Sequence, residues 1–331
     1  MNYSVIIPVY NRPDEIDELL ASLAAQSCHN FEVVIVEDGS TVPCRDVVDR
    51  YRDVLSIVYI AKENEGRSIA RNVGIEASHG DYLVFFDSDC VIPPGYFETL
   101  DRELTVNPVD CYGGPDAAHD SFSDVQKAIN YAMTSFWTTG GIRGGKVSLE
   151  KFVPRTFNTG FSREVYRRVG GFREMFSEDI DMSTRIKNAG FTIALIRPAF
   201  VYHKRRIDFK RFIRQVYVFG MSRITLKLLY PGSLKLVHTL PALFLIGSAA
   251  LIVLACLVSP WFLLPFAVYI LLLFISALVS TRSVRIAALA VPAAFIQLWG
   301  YGWGFIKAFT TKILLRRGRN VNEEIEMRRG K

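Results

Sequence analysis

Apolar residues in the first ninety positions fall into two alternating arrangements. Continuous runs, SVIIPVY (4–10), FEVVIVE (31–37), LSIVYIA (55–61) and YLVFF (82–86), carry the β-branched and aromatic residues that favour strands. Between them lie segments with helical spacing. In 14–26 the residues Ile16, Leu19, Leu20 and Leu23 share one helical face, with Pro13 at the start. Further helices are expected near 45–53 and 67–78. Strands that are apolar throughout and separated by helices predict an α/β fold with a mainly parallel sheet covered on both faces. In such sheets ligands bind beyond the carboxyl ends of the strands. Here the first, second and fourth runs end in Tyr10-Asn11, Glu37-Asp38 and Asp87-Ser88-Asp89, so polar groups gather along one edge.

Beyond residue 107 the pattern loosens. A helix is expected at 123–137, followed by the glycine-dense TTGGIRGGK (138–146), which fits either a loop near a site or a surface linker. FNTGFSREVYRRVGGF (157–172) reads as strand then helix. FSEDIDMSTRIKNAG (176–190) reads as a helix from Ser177 with Glu178, Asp179 and Asp181 in its first turn. Acids there fit two roles: they complement the helix N-terminus, or one takes a proton from a hydroxyl nucleophile. FTIALIRPAFVYH (191–203) reads as one more strand, ending in His203, a structural histidine or a metal ligand.

No GxGxxG or GxxxxGK[ST] stands at a strand–helix junction. Phosphates bound at this edge therefore need positive charge from elsewhere. A divalent cation on Asp87 and Asp89 would supply it, because Mg²⁺ and Mn²⁺ favour carboxylate and phosphate oxygens.

The remaining third has a different character. Half of the 331 residues are hydrophobic, and the mean hydropathy of +0.20 is high for a soluble protein. The excess is concentrated at 236–258, 261–280 and 286–306, each long enough to cross a bilayer. Ahead of them, 204–230 places Phe209, Phe212, Ile213, Val216 and Phe219 roughly on one face among many Lys and Arg, as in an interfacial amphipathic helix. The net charge of +6 is explained by this region: ten Lys or Arg lie between Arg197 and Lys235 against one acid, Asp208. That placement suits anionic lipid headgroups and disfavours nucleic acid as a partner. Three spans would carry the basic C-terminal tail across the membrane, whereas the positive-inside rule prefers an even number. The N-terminus lacks the features of a secretory signal, and the five cysteines show no paired spacing. Residues 1–205 are thus expected on the cytoplasmic side of a membrane, a bacterial inner membrane in this reading. A basic segment (206–235), two or three spans (236–306) and a basic tail (307–331) follow; sequence says nothing about the oligomeric state.

Four ordered blocks resemble the family 2 glycosyltransferases, inverting metal-dependent enzymes of the Rossmann-like GT-A fold: SVIIPVYNR, VIVEDGS, NEGRSIARNVGIEASHGDYLVFFDSD and VGGFREMFSEDIDMSTRIKNAG. The resemblance covers about 3–205. It implies that Pro8 and Tyr10 line a base pocket and Asp38 bonds the base or ribose. Asn64, Gly66 and Arg71 would lie along the nucleotide, and Asp87 and Ser88 of the D-x-D would also contact the nucleotide sugar. Asp87, Asp89 and His203 would hold Mn²⁺ or Mg²⁺, and Asp179, in the Glu178-Asp179 pair, would be the catalytic base. The implied donor is a nucleotide-diphosphate sugar and the implied acceptor a lipid-linked or membrane-presented glycan. Two departures stand out: Glu37 occupies a position where Asp is commoner, and the Q-x-x-R-W of processive synthases is missing around Gln215. A polyprenyl-phosphate sugar synthase is the alternative, and a non-catalytic nucleotide-sugar-binding membrane protein a third reading. A lipid phosphate needs no general base, so the Glu178-Asp179 pair favours a hydroxyl acceptor.

Overall fold

The computed structural model describes residues 1–117, 119, 122–140, 152–204 and 208–318. Most of the glycine-rich loop and the end of the basic tail lie outside the described residues.

The chain forms two compact units, Met1–His119 with Phe152–Lys204, and Asp120–Lys151 with Arg205–Lys331. The first begins β1 (Tyr3–Val9), α1 (Pro13–Ala24), β2 (Phe31–Asp38), α2 (Arg45–Asp49), β3 (Ile57–Lys62), α3 (Arg67–Glu76) and β4 (Tyr82–Phe86). It continues with β5 (Cys90–Val91), α4 (Tyr96–Val106), β6 (Cys111–Gly113) and β7 (Asp116–Ala117). Helices α5 (Asp124–Thr134) and α6 (Phe136–Thr139) intervene and belong to the second unit. The first unit then closes with β8 (Asn158–Ser162), α7 (Arg163–Val169), α8 (Glu178–Asn188), β9 (Ile193–Leu195) and β10 (Val201–His203).

Among the described residues the main sheet runs β3-β2-β1-β4-β8-β6-β9. Its strands are parallel except that β8 is antiparallel to β4 and β6. The strand pleat distributes the core. Val5, Ile7 and Val9 meet Ile16, Leu19, Leu20 and Leu23 of α1 on one face, while Ile6 joins Ala70, Ile75, Met182 and Ile186 from α3 and α8 on the other. Fully burying each large aliphatic side chain contributes about 1.5–3 kcal/mol.

The 191–203 segment is two strands rather than one. Pro198 lacks an N–H and sits in a turn after β9, so the chain leaves the main sheet and β10 joins a second sheet, β5-β10-β7. The helix expected at 123–137 is likewise two, broken at Ser135, whose extended backbone (ψ 141°) caps α6.

The second unit adds α9 (Phe209–Leu229), α10 (Leu240–Leu257), α11 (Leu264–Thr281) and α12 (Val284–Ala308). Asp208 caps α9 through Arg211 N–H. On that helix Phe212, Val216, Gly220 and Ile224 are buried, whereas Ile213 is exposed rather than part of the packed face. Three helical segments are long and apolar enough to cross a membrane; the third, containing α12, is 44% buried against 11% for the other two. Helix α12 is the centre of this unit. Glycines make its crossings possible: a Cβ on Gly304 would lie 2.0 Å from the Tyr217 carbonyl oxygen, and one on Gly220 2.1 Å from that of Tyr301. Helix α5 packs Ala128, Ile129, Ala132 and Met133 against α9, α11 and α12, which explains why its segment groups with the C-terminal helices instead of the 1–205 expected from sequence.

Candidate active site

At the carboxyl edge of the main sheet, β1 is followed by Asn11, a non-glycine residue at φ 54°. Its Oδ1 accepts from Thr41 N–H (2.8 Å) and Val42 N–H (3.0 Å), tying this edge to the loop after β2. Pro8 is half-buried in β1 and Tyr10 is exposed just beyond it. Glu37 is buried and accepts from Cys44 N–H and Tyr59 OH, each at 2.7 Å, and from Ser40 Oγ. Burial opposes its charge, but these donors outweigh it and hold the carboxyl below the usual range. The extra methylene relative to Asp thus serves a loop-organising role.

Asp38 is almost fully buried. Its carboxylate accepts from Lys62 Nζ (2.9 Å), Glu65 N–H (3.0 Å) and Gly66 N–H (2.8 Å), and its carbonyl from Asn64 Nδ2 (2.8 Å). Asp38, Asn64 and Gly66 are therefore brought together, with Gly66 at φ 98° opening α3.

Arg67 and Arg71 lie one turn apart on α3. Arg71 reaches Asp87 Oδ1 (2.7 Å) and Glu178 Oε1 (3.0 Å), while Arg67 reaches Glu178 Oε2 (2.9 Å). Arg71 and Glu178 are 1% and 2% exposed, so this chain of charges joins the D-x-D strand to α8 through the interior. Both Glu178 oxygens are held by guanidinium groups. Ser88 is buried between the two acids of the D-x-D.

The three acids of the first α8 turn have separate partners. Asp181 is fully buried and receives Arg173 (3.2 Å) and Arg185 (2.9 Å), a structural lock. Asp179 Oδ2 pairs with Arg155 (3.1 Å) and Oδ1 accepts Ile180 N–H (2.8 Å). Burial favours the neutral acid, but the Arg155 charge and hydrogen bond, the Ile180 N–H and the Arg67 charge win, holding Asp179 below the ordinary carboxylate range. Ser177 enters the helix at φ 64° without a side-chain cap, so Asp179 is presented on a strained turn. A cleft lined by Thr156, Thr159, Phe161, Phe172 and Ser183 adjoins it.

Asp89 meets His203 Nε2 at 3.2 Å through Oδ1 and Arg12 at 3.4 Å through Oδ2. Register in the small sheet explains the first contact, since His203 pairs with Cys90. Asp89, Cys90 and His203 offer ligand atoms within 4.8 Å of one another. The Cys90 thiol is turned to the Phe157 carbonyl. With the thiol turned away, the donors left are one carboxylate and one imidazole, hard enough for Mn²⁺ or Mg²⁺ if donor phosphate oxygens complete the set. Arg12, Arg67, Arg155 and Asp116 are site neighbours that spacing alone did not single out; Arg12 and Arg67 lie inside the family-like blocks, which was the available signal for those two, and Arg155 and Asp116 lie outside them.

The sequence model described as "Glycosyl transferase family 2" matches residues 4–170, and the chain belongs to that family. Over 262 residues it is 27% identical to "Glycosyltransferase AglE" of Haloferax volcanii, covering 74% of this chain and 80% of that protein. It is 37% identical over 108 residues to "Glycosyltransferase GlyA" of Streptococcus pneumoniae, covering 32% of this chain. The matched region spans only 16% of GlyA and 12% of a Rickettsia bellii relative. The fold is that of a mannosyltransferase from Pyrobaculum calidifontis solved in complex with GDP-Man and Mn2+: TM-score 0.57 at 20% identity, covering 95% of this chain and 87% of that one. The first unit is thus a GT-A fold followed by helices that fit a membrane region.

Proposed function

We propose that this protein is a membrane-anchored, inverting glycosyltransferase that moves one sugar from a nucleotide-diphosphate sugar to a hydroxyl of a lipid-linked or membrane-presented glycan. The observation that carries this reading is the pairing of two different acid environments. Asp89 meets His203 at the strand edge two residues beyond Asp87, which pairs with Arg71, and Asp179 stands apart on α8, paired with Arg155 and bordering a small pocket.

Asp87, Asp89 and His203 would hold Mn²⁺ or Mg²⁺, which supplies positive charge to the donor diphosphate when bound. Asp38 fixes the 63–66 loop against which the nucleotide would lie, and Pro8 and Tyr10 would flank the base. Asp179 takes the proton of the acceptor hydroxyl as its oxygen forms the bond to the anomeric carbon. The bond from that carbon to the diphosphate breaks on the opposite face, so the configuration inverts. Glu178, clasped by Arg67 and Arg71, orients cationic groups rather than taking the proton. The mannosyltransferase from Pyrobaculum calidifontis, solved in complex with GDP-Man and Mn2+, supports a nucleotide-sugar donor and a divalent ion here. The apolar helices and the preceding basic segment support membrane anchoring with the first unit on the cytoplasmic side, as in a bacterial inner membrane.

Radiolabelled nucleotide sugars incubated with the protein and membrane lipid extracts, with and without Mn²⁺, test the reading. Labelled lipid should form with metal and vanish in Asp179→Asn. Near-normal transfer by that variant would refute a base-assisted hydroxyl acceptor and favour a phosphate acceptor.

A further inference from the structure

The small sheet collects more than the residues of the D-x-D. Parallel pairing of β7 with β10 sets Val201 opposite Asp116 and Tyr202 opposite Ala117. The antiparallel β5–β10 pairing sets His203 opposite Cys90. Three chain segments far apart in sequence thereby surround one imidazole. Its Nε2 faces Asp89 at 3.2 Å, its Nδ1 faces Asp116 Oδ2 at 3.8 Å, and its ring stacks on Phe157 at 4.6 Å between centroids with 23° between planes. The Asp116 side chain is only 1% exposed.

Gly114 permits the placement. A Cβ there would lie 1.9 Å from the Ala199 carbonyl oxygen and 2.2 Å from Asn158 Nδ2, so any other residue would force the 114–117 segment away from the turn before β10. Gly114 N–H donates to the Asn158 carbonyl (3.1 Å), and Val201 N–H to that of Pro115 (3.2 Å). The backbone, rather than the Asp116 side chain, thus fixes the distance to His203.

We infer that Asp116 is a positioning residue for the metal site: its carboxylate, 3.8 Å from Nδ1 and so acting by charge rather than by a direct hydrogen bond, favours the ring orientation and tautomer in which Nε2 is presented, with Asp89, to a divalent cation. A neutral imidazole that ligates through one nitrogen carries its proton on the other, and a carboxylate facing that N–H selects the tautomer and raises the basicity of the ligand nitrogen. Asp116 does not touch the substrate or the cation in this assignment. The inference rests on the metal reading of the proposed function.

The test is Mn²⁺ binding to the full-length, detergent-solubilised protein, read from the electron paramagnetic resonance signal of free Mn²⁺, with Mn²⁺ alone and with added GDP or UDP. Asp116→Asn should weaken binding by about 10–100-fold, the usual effect of losing such an outer partner. Asp116→Glu, which keeps the carboxylate, should retain most of the affinity. His203→Gln should weaken binding too, and adding Asp116→Asn to it should cost little more. Wild-type affinity in Asp116→Asn, or a full multiplicative loss in the double variant, would overturn the inference and leave the metal reading intact. Absence of Mn²⁺ binding by the wild type would overturn both. Should Asp116→Asn fail to fold, Asp116→Ser carries the same test: a clear loss of affinity in the His203 background with little loss in the His203→Gln background is expected, and equal losses in both would overturn the coupling.

Discussion

Replacing Arg155 with Gln removes one positive charge from the Asp179 carboxylate and leaves the Ile180 N–H in place. At 3.1 Å and an effective dielectric of about 20, the Coulomb attraction amounts to about 5 kcal/mol. Water reaches both partners, whose side chains are 17% and 18% exposed. About a quarter of that attraction, roughly 1.3 kcal/mol, is therefore expected to appear as a net effect on ionisation. This corresponds to about a tenfold change in the ratio of carboxylate to carboxylic acid at a given acidic pH. The sign follows from the role: a base must be ionised to accept a proton, and Arg155 keeps Asp179 ionised into acid. Initial rates of sugar transfer measured from about pH 8 down to about pH 4.5 read the effect. The acidic limb of the variant should move toward neutral pH, so that its rate relative to wild type falls on acidification, by a few-fold at most by about pH 4.5. The stability effect has the same origin. A carboxyl held low in the folded state stabilises above its unfolded pKa, and that contribution is lost as pH falls through the folded value. The stability gap between wild type and variant should accordingly close in acid. A rate ratio that stays constant with pH would refute the coupling of Arg155 to the base.

Other perturbations follow from the same geometry. Glu178→Gln leaves Arg67 and Arg71 without their shared counter-charge, and breaking a buried pair costs about 3–5 kcal/mol, readable as a fall in chemical or thermal unfolding midpoint; an unchanged midpoint would mean that the interior charge chain is not structural. Asp38→Ala frees the N–H groups of Glu65 and Gly66, so KM for the donor should rise roughly tenfold or more, in line with about 1–3 kcal/mol for stranded buried donors, with less change in kcat. Gly304→Val drives a side chain into the Tyr217 carbonyl and should lower the melting temperature of the detergent-solubilised protein through at least about 1–3 kcal/mol of overpacking. Chelation with EDTA should abolish transfer, and Mn²⁺ or Mg²⁺ should restore it.

The four early strands were legible because their apolar runs are continuous and bounded by turn residues, so local pattern and tertiary requirement agree. The break at Pro198 was legible in principle, since proline removes a ladder donor, yet the flanking β-rich residues masked it. Site partners were less accessible. Nothing in the spacing of Arg155 or Asp116 ties either residue to Asp179 or His203, because those contacts depend on how β8 and β10 are placed by the sheet. Glu178 illustrates the same limit from the other side. Adjacent to Asp179 in sequence, it points to a different neighbourhood, because successive helical residues are turned by about 100°.

The insertion of α5 and α6 between β7 and β8 has a consequence for how the protein is made. Helix α5 emerges from the ribosome more than 150 residues before α12, whose Ala287, Ala290 and Ala293 complete its packing. Until α9, α11 and then α12 follow, Ala128, Ile129, Ala132 and Met133 lack their full cover, and the nascent chain carries an unfinished apolar face that invites chaperones or the lipid surface. A polypeptide stopped at residue 205 would keep that face forever. Such a truncation should therefore aggregate on release from the ribosome, whereas one that also replaces 120–151 with a short polar linker should remain in solution.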